Sequence, residues 1–227
     1  MRATTQRPRD QTLDAARRAA AGCTQCDLYK RATQTVFGEG DPHARIVLVG
    51  EQPGDEEDVA GRPFVGPAGR LLDKALAEAG LDRRDLYVTN AVKHFKWKGE
   101  EGKRRIHDRP RQTEIDACRP WFRQELEIIR PRLLVCMGVT AASAVLGRRV
   151  TIASTRGRRL MSPYGIATLV TVHPSALLRM PDPRIRAEEM ERFVADLRMA
   201  ERLARTEPAP EPGRHDLGEH GQGTKDE

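Results

Sequence analysis

The sequence predicts an α/β fold, a three-layer αβα arrangement around a central four-stranded parallel sheet. Strand-like and helix-like stretches alternate along the chain, which is typical of a parallel sheet with helices on both faces. The clearest strand, Arg45–Gly50, is apolar without alternation from Ile46 to Val49, as strands covered on both faces are. A chain of 227 residues, 38% hydrophobic and 32% charged, is long enough for one such domain.

The elements are predicted from short apolar runs and from helical spacing. Four runs bounded by turn or charged residues predict strands: Arg45–Gly50, Leu86–Val92, Arg132–Met137 and Ile166–Val172. Helices are predicted where apolar residues recur at helical spacing or where a proline suits a first turn: Thr12–Ala21, Pro67–Ala79, Thr113–Ile129, Thr140–Leu146 and Arg184–Arg205. We therefore expect one domain over residues 11–205, after a loose segment 1–10.

Charge is distributed unevenly along the chain. Residues 206–227 are rich in Pro, Gly and acidic side chains and predict a disordered tail, whereas the net charge of the whole chain is +6. Basic residues are concentrated in Lys93–Arg111 and Gly147–Arg159, which indicates a phosphate backbone as partner. A solvated arginine-rich surface is the alternative. No membrane span and no signal-peptide core is evident, so we expect a prokaryotic-type cytoplasmic location. We also expect a monomer.

Polar and aromatic residues gather after the first predicted strand. Gly50, Glu51, Gln52 and Gly54 follow it directly, an acidic run comes next, and Phe64 stands alone between Pro63 and Val65. Open parallel sheets bind ligands beyond the carboxyl ends of their strands. The stretch therefore predicts a ligand site, with a solvated acidic loop as the alternative.

Several motifs in chain order resemble the uracil-DNA glycosylase superfamily, close to its family 4 form. Val47–Leu76 is similar to the family's motif A, Asn90 ends the second predicted strand, and HPSALLR at His173–Arg179 follows the last strand. The KRRIH insert at Lys103–His107 resembles that of the UdgX subgroup, which binds uracil-DNA covalently. The resemblance covers roughly Gly22–Arg205 and implies a DNA-repair protein acting on uracil-containing DNA, with single strands preferred.

The resemblance also implies roles for individual residues. Phe64 and Asn90 would recognise a flipped uracil, and His173 would stabilise the uracil anion as the glycosidic bond breaks. His107 would attack C1′ of the sugar, with Glu51 or Gln52 orienting its ring. The remaining expected substrate contacts are Gly50, Gly54, Asp55, Asp58, Arg105, Ser175 and Arg179. One alternative is a hydrolytic family 4-type enzyme with normal turnover, in which KRRIH is only a basic loop; another is a metal-bearing nucleic-acid-binding module without chemistry.

The four cysteines argue against a disulfide framework and for a role in metal binding or in chemistry. Cys23 and Cys26 form a C-x2-C pair and Cys118 lies on a predicted helix, whereas Cys136 lies inside an apolar strand and is expected to be core. Family 4 relatives hold a [4Fe–4S] cluster with four cysteines, and His94 stands here at one of those positions. The resemblance thus implies a [4Fe–4S] cluster on Cys23, Cys26, His94 and Cys118. A Cys3His zinc site, or His94 as a base contact, is the alternative.

Overall fold

The computed structural model describes residues 12–99 and 105–210. The predicted loose segment 1–10, Lys103 and Arg104 of the insert, and residues 211–227 of the predicted tail lie outside this part of the chain. The described chain forms a mixed sheet of six strands with helices packed on both faces, which confirms the predicted αβα class.

The helices and strands have the following bounds. The helices within the described residues are α1 Leu13–Ala20, α2 Asp55–Ala60, α3 Pro67–Ala79, α4 Gln112–Ile129, α5 Val139–Leu146, α6 Ile152–Thr155, α7 Pro174–Leu178 and α8 Pro183–Thr206. The strands are β1 Glu39–Gly40, β2 Ile46–Gly50, β3 Tyr87–Asn90, β4 Trp97–Lys98, β5 Ile106–His107, β6 Leu133–Met137, β7 Leu160–Met161 and β8 Ala167–Thr171. Short 3₁₀ turns lie at Asp27–Lys30 and Arg83–Asp85.

The strand order in the main sheet is β1-β3-β2-β6-β8-β7. The four inner strands are mutually parallel and correspond to the four predicted strands. The edge strands β1 and β7 pair antiparallel and were not predicted, because two residues are too few to show a period. The strands β4 and β5 form a separate hairpin in which Trp97 lies opposite His107.

Two cores lie on opposite faces of the sheet because successive strand side chains alternate in direction. In β2, Val47 and Val49 pack into the core that contains α1, α4 and α5, whereas Ile46 and Leu48 pack into the core that contains α3, α7 and α8. Cys136 in β6 is 0% exposed within the first core, as predicted. Both faces are covered, so binding is confined to the edges of the sheet and to the loops.

The chain makes specific contacts with the domain after α8 ends at Thr206. Arg159 Nη2 donates to the carboxylate of Glu207 at 2.9 Å, and Arg130 Nη2 donates to the carbonyl oxygen of Pro210 at 3.1 Å. The predicted domain boundary at 205 falls before these contacts. Among the described residues, no helix is long and apolar enough to cross a bilayer.

Candidate active site at the carboxyl edge of the sheet

A tight cluster of Gly50, Phe64 and Asn90 lies where β2 and β3 end. A Cβ atom on Gly50 would lie 2.3 Å from Asn90 Oδ1 and 2.6 Å from Phe64 Cζ, so only glycine allows this approach. Asn90 is 2% exposed, and its Oδ1 has no hydrogen-bond partner among the described residues. A buried amide oxygen without a partner, beside an aromatic ring, suits a ligand that donates a hydrogen bond and stacks on the ring.

The backbone of Phe64 is in the left-handed region, with φ of 54°. Arg83 donates from Nη1 to the Phe64 carbonyl at 3.2 Å and from Nη2 to the Pro63 carbonyl at 3.0 Å. A Cβ on Gly69 would lie 1.8 Å from the Phe64 carbonyl oxygen. Arg83 and Gly69 therefore hold the backbone at Phe64 in this conformation, and no local sequence pattern pointed to either of them.

His173 faces Phe64 with ring centroids 5.9 Å apart. The Ser175 backbone N–H donates to His173 Nδ1 at 3.1 Å, so the neutral ring carries its proton on Nε2. Burial, aided by the nearby positive charge of Arg179 and by His107, lowers the pKa of His173 to about 4. At neutral pH, His173 is thus an uncharged hydrogen-bond donor at the edge of the cluster.

His107 and Glu51 lie together beside this cluster. His107 Nε2 is 3.6 Å from Glu51 Oε1, and the side chain of His107 is 50% exposed against 21% for Glu51. Burial lowers the pKa of His107, while Glu51 acts in the opposite direction. The ring is therefore neutral and accessible at pH 7, with a carboxylate next to it, as a nucleophile requires.

Gln52 connects the two ends of the segment that carries the insert. Its Nε2 donates to the carbonyl oxygens of Lys96 at 3.0 Å and Asp108 at 3.1 Å, and its Oε1 accepts from the Lys96 N–H at 3.2 Å. The predicted direct role of Gln52 in orienting the His107 ring is not supported, because the whole amide bonds to loop backbone. Gln52 instead fixes the base of the β4–β5 hairpin.

Arg105, the other described charged residue of the insert, is turned inward. Its guanidinium pairs with Asp55 and with Asp58 Oδ2, at 2.5 Å in the second case, and its side chain is 18% exposed. Asp58 is fully buried and also accepts from the Thr33 N–H at 3.0 Å. The phosphate contact predicted for Arg105 and the substrate contacts predicted for Asp55 and Asp58 gain no support from this arrangement. The three charges anchor the hairpin to α2.

The predicted basic cluster at 93–111 is divided between the interior and the surface, since Lys98 and Arg111 are exposed whereas Lys93 and Lys96 are not. Lys93 is 0% exposed, and Lys96 Nζ is 3.0 Å from Glu114 Oε2 with its side chain 13% exposed. Gly54, predicted as a substrate contact, is the N-cap residue of α2, and its N–H donates to Glu57 Oε2 at 3.0 Å. In contrast, Arg179 is exposed close to the two histidines, where a phosphate can reach it.

Cys26 and Cys118 are in contact between the segment after α1 and helix α4, and Cys23 lies against Trp121 of the same helix. The Cys118 thiol donates to Cys26, which lowers the pKa of Cys26 to about 6 and contributes to a raised pKa of Cys118. Trp121 Nε1 donates to Cys23 Sγ at 3.1 Å, and the Lys93 N–H donates to Cys118 Sγ at 3.4 Å. N–H donors directed at sulfur suit thiolates that bind a metal.

His94, the fourth predicted ligand, directly follows Lys93, whose backbone N–H contacts Cys118 Sγ. Its Nδ1 is buried without a partner, while its Nε2 is 2.9 Å from the Thr35 hydroxyl. Within the described part of the chain, no three His, Cys, Asp or Glu side chains converge tightly enough to hold a metal ion. The donor types, three thiols and an imidazole whose buried Nδ1 has no partner, fit a thiolate-rich metal centre.

Comparisons with known proteins agree with this geometry. Residues 37–198 match the family model described as the uracil DNA glycosylase superfamily. A type-4 uracil-DNA glycosylase of Thermotoga maritima is 38% identical over 190 residues, covering 83% of this chain and 92% of that protein. Type-4 enzymes of Pyrobaculum aerophilum and Archaeoglobus fulgidus are 36% and 35% identical, covering 70% and 77% of this chain and 81% and 87% of theirs.

Proposed function

Because the chain belongs to the uracil-DNA glycosylase superfamily, we propose that it excises uracil from DNA, with single strands preferred. The observation that carries the proposal is the orphaned amide of Asn90 packed against Gly50 and Phe64. An amide pairs with the O4 and N3–H edge of uracil, and an aromatic face stacks on the base. Single strands offer the base without the cost of unpairing.

Bond breaking follows from the position and protonation state of His173. As the C1′–N1 bond breaks, its electron pair stays with uracil and negative charge develops on O2. The Nε2–H of neutral His173 donates to that oxygen, and a donor placed where charge develops lowers the barrier. The opposite charge is left on the sugar as an oxocarbenium-like cation.

The fate of the sugar cation distinguishes two outcomes. In the hydrolytic outcome, Glu51 takes a proton from water as the water bonds to C1′, and the enzyme turns over. The type-4 names of the relatives fit this outcome at least as well as capture.

Covalent capture is the second outcome, and the 3.6 Å between His107 Nε2 and Glu51 Oε1 favours it. One ring nitrogen of His107 gives its lone pair to C1′, and the proton on the other nitrogen passes to the carboxylate of Glu51. The resulting N-ribosyl imidazole is neutral and a poor leaving group, so the adduct persists.

A denaturing gel tests both the activity and the outcome. The protein is incubated with an oligonucleotide that contains one uracil, and with matched thymine and cytosine oligonucleotides. Release of uracil from the first substrate alone is expected, together with a band that survives SDS and heat if capture occurs. A protein that releases no uracil and binds all three substrates equally would leave only a nucleic-acid-binding module.

We further propose that Cys23, Cys26, Cys118 and His94 hold the [4Fe–4S] cluster implied by the family 4 resemblance. When bound, the cluster would serve as a cross-link between the segment after α1 and helix α4. Its position behind the site, near Lys93 and not at Glu51 or His173, favours a structural role.

Purified protein is therefore expected to be yellow-brown with a broad visible absorption band. Cys118→Ala should lose the colour, since it removes a thiolate, whereas Cys136→Ala should keep it and cost on the order of 1 kcal/mol of stability. The measurements are absorption, iron and zinc content, and thermal unfolding. Colourless protein with stoichiometric zinc would overturn the cluster in favour of Cys3His zinc.

A further inference from the structure

A fully buried ion pair lies directly behind the proposed uracil pocket. Lys93 Nζ is 2.7 Å from Glu125 Oε2, and the two side chains are 1% and 0% exposed. The same ammonium donates to Thr89 Oγ1 at 2.6 Å and to the Asn90 carbonyl oxygen at 2.9 Å. All three protons of the ammonium therefore have acceptors, which fixes its position.

The carboxylate of Glu125 also accepts hydrogen bonds from three donors in two parts of the fold. It accepts from the Gly38 N–H at 2.9 Å, the Tyr87 hydroxyl at 3.0 Å and the Thr89 hydroxyl at 3.0 Å. Tyr87 and Thr89 belong to β3, and Glu125 belongs to α4. The ion pair thus holds the end of β3 to the helix behind it.

The turn after Asn90 is closed by the same side chain. The N–H groups of Ala91 and Val92 donate across to the carbonyl oxygens of Gly50 and Glu51, at 2.9 Å and 3.0 Å. Lys93 Nζ then returns to the carbonyl of Asn90. The backbone that carries the pocket amide is therefore fixed to β2 on one side and to the buried charge pair on the other.

Global stability alone does not explain this arrangement. Removing two charges from water is costly, and a buried ion pair is often no more stabilising than apolar residues of the same volume. This pair also contacts the residue that carries the orphaned pocket amide. Displacement of a recognition group by about 1 Å costs on the order of 100-fold in rate.

We propose that Lys93 and Glu125 are positioning residues that hold Asn90 in register with a bound uracil. They do not touch the base, and they act through the Asn90 carbonyl and the Thr89 hydroxyl. This proposal rests on the proposed excision of uracil, since it specifies how the pocket for that base is kept in place.

The test compares two double variants with the wild type. Lys93→Met with Glu125→Leu removes both charges and the hydrogen bonds to Asn90 and Thr89. Lys93→Gln with Glu125→Gln removes the charges but keeps donors and acceptors. Thr89→Val is a milder variant that deletes only the hydroxyl that bonds to both Lys93 and Glu125.

Leu146→Ala, which opens a cavity in the core at the end of α5, is the control for lost stability.

The readouts are thermal unfolding, the single-turnover rate of uracil release from single-stranded DNA, and the protein concentration that gives half the maximal rate. The Met/Leu variant is expected to lose about tenfold or more in rate, with its half-saturating concentration within about twofold of wild type. The Gln/Gln variant should recover most of the rate, Thr89→Val should lose several-fold, and Leu146→Ala should excise normally.

A folded Met/Leu variant that releases uracil at the wild-type rate overturns the proposal. The proposal also fails if Leu146→Ala, at the same thermal stability as the Met/Leu variant, loses as much of the rate. If both double variants fail to fold, the rate of Thr89→Val decides, and a wild-type rate there overturns the proposal. A wild type that releases no uracil would instead refute the proposed function, so the two failures are distinguishable.

Discussion

His107→Ser is expected to lose the SDS-stable band with uracil-containing DNA and to release uracil over many turnovers. The substitution removes the nucleophile but leaves Glu51, Asn90 and His173, which recognise the base and break the bond. Water can then occupy the space of the imidazole and bond to C1′. The measurements are the shifted band, its saturation at one DNA per protein in the wild type, and the amount of uracil released per protein.

The control for this variant is His43→Ser, which replaces an exposed histidine outside the site. It should form the adduct as the wild type does. An adduct that persists in His107→Ser would exclude His107 as the nucleophile. A wild type that turns over freely without a shifted band would leave the hydrolytic outcome as the activity.

The pH dependence of capture separates the two histidines. Burial lowers the pKa of His107, so its ring is neutral at pH 7 and gains a proton only as the pH falls through that lowered pKa. Covalent capture of the sugar should slow as the pH falls below the pKa of His107, because a protonated imidazole has no lone pair with which to attack C1′. The pKa of His173 is about 4, so uracil release should continue at pH 5. Parallel loss of both steps would contradict these assignments.

Asn90→Ala is expected to reduce uracil excision by a factor on the order of 10³ or more, because it removes the hydrogen bonds that distinguish uracil from other bases. Binding to DNA without uracil should change little, since phosphate contacts supply most of that affinity and make it salt-dependent. The measurements are single-turnover uracil release and DNA affinity at two salt concentrations.

Gln112→Ala is the matched control for this substitution, because it truncates an amide at the exposed start of α4. It should leave uracil release unchanged. Release by Asn90→Ala at the wild-type rate would mean that the pocket lies elsewhere.

The αβα fold was predictable because its inner strands are short, mostly apolar runs bounded by turn or charged residues and its longer helices show apolar faces. Strands β2, β3, β6 and β8 were all predicted within a few residues. Helices α2, α6 and α7 were not, since a helix of four to six residues is too short to show a periodicity of its own. The sequence still pointed to the segments that contain α2 and α7 as parts of a ligand site, because residues that follow parallel strands meet at the carboxyl edge of the sheet.

The sequence by itself determined the residue types at that edge: Glu51, Phe64, Asn90, His107 and His173. Only the tertiary structure decided how the charges around them are used. Arg105 and Lys93 look alike in the sequence, as members of one basic run suited to phosphate. In the fold, each pairs with carboxylates that lie more than thirty positions away, Asp58 for Arg105 and Glu125 for Lys93. Pairing over such separations depends on which elements the sheet brings together, and a local pattern does not contain that information.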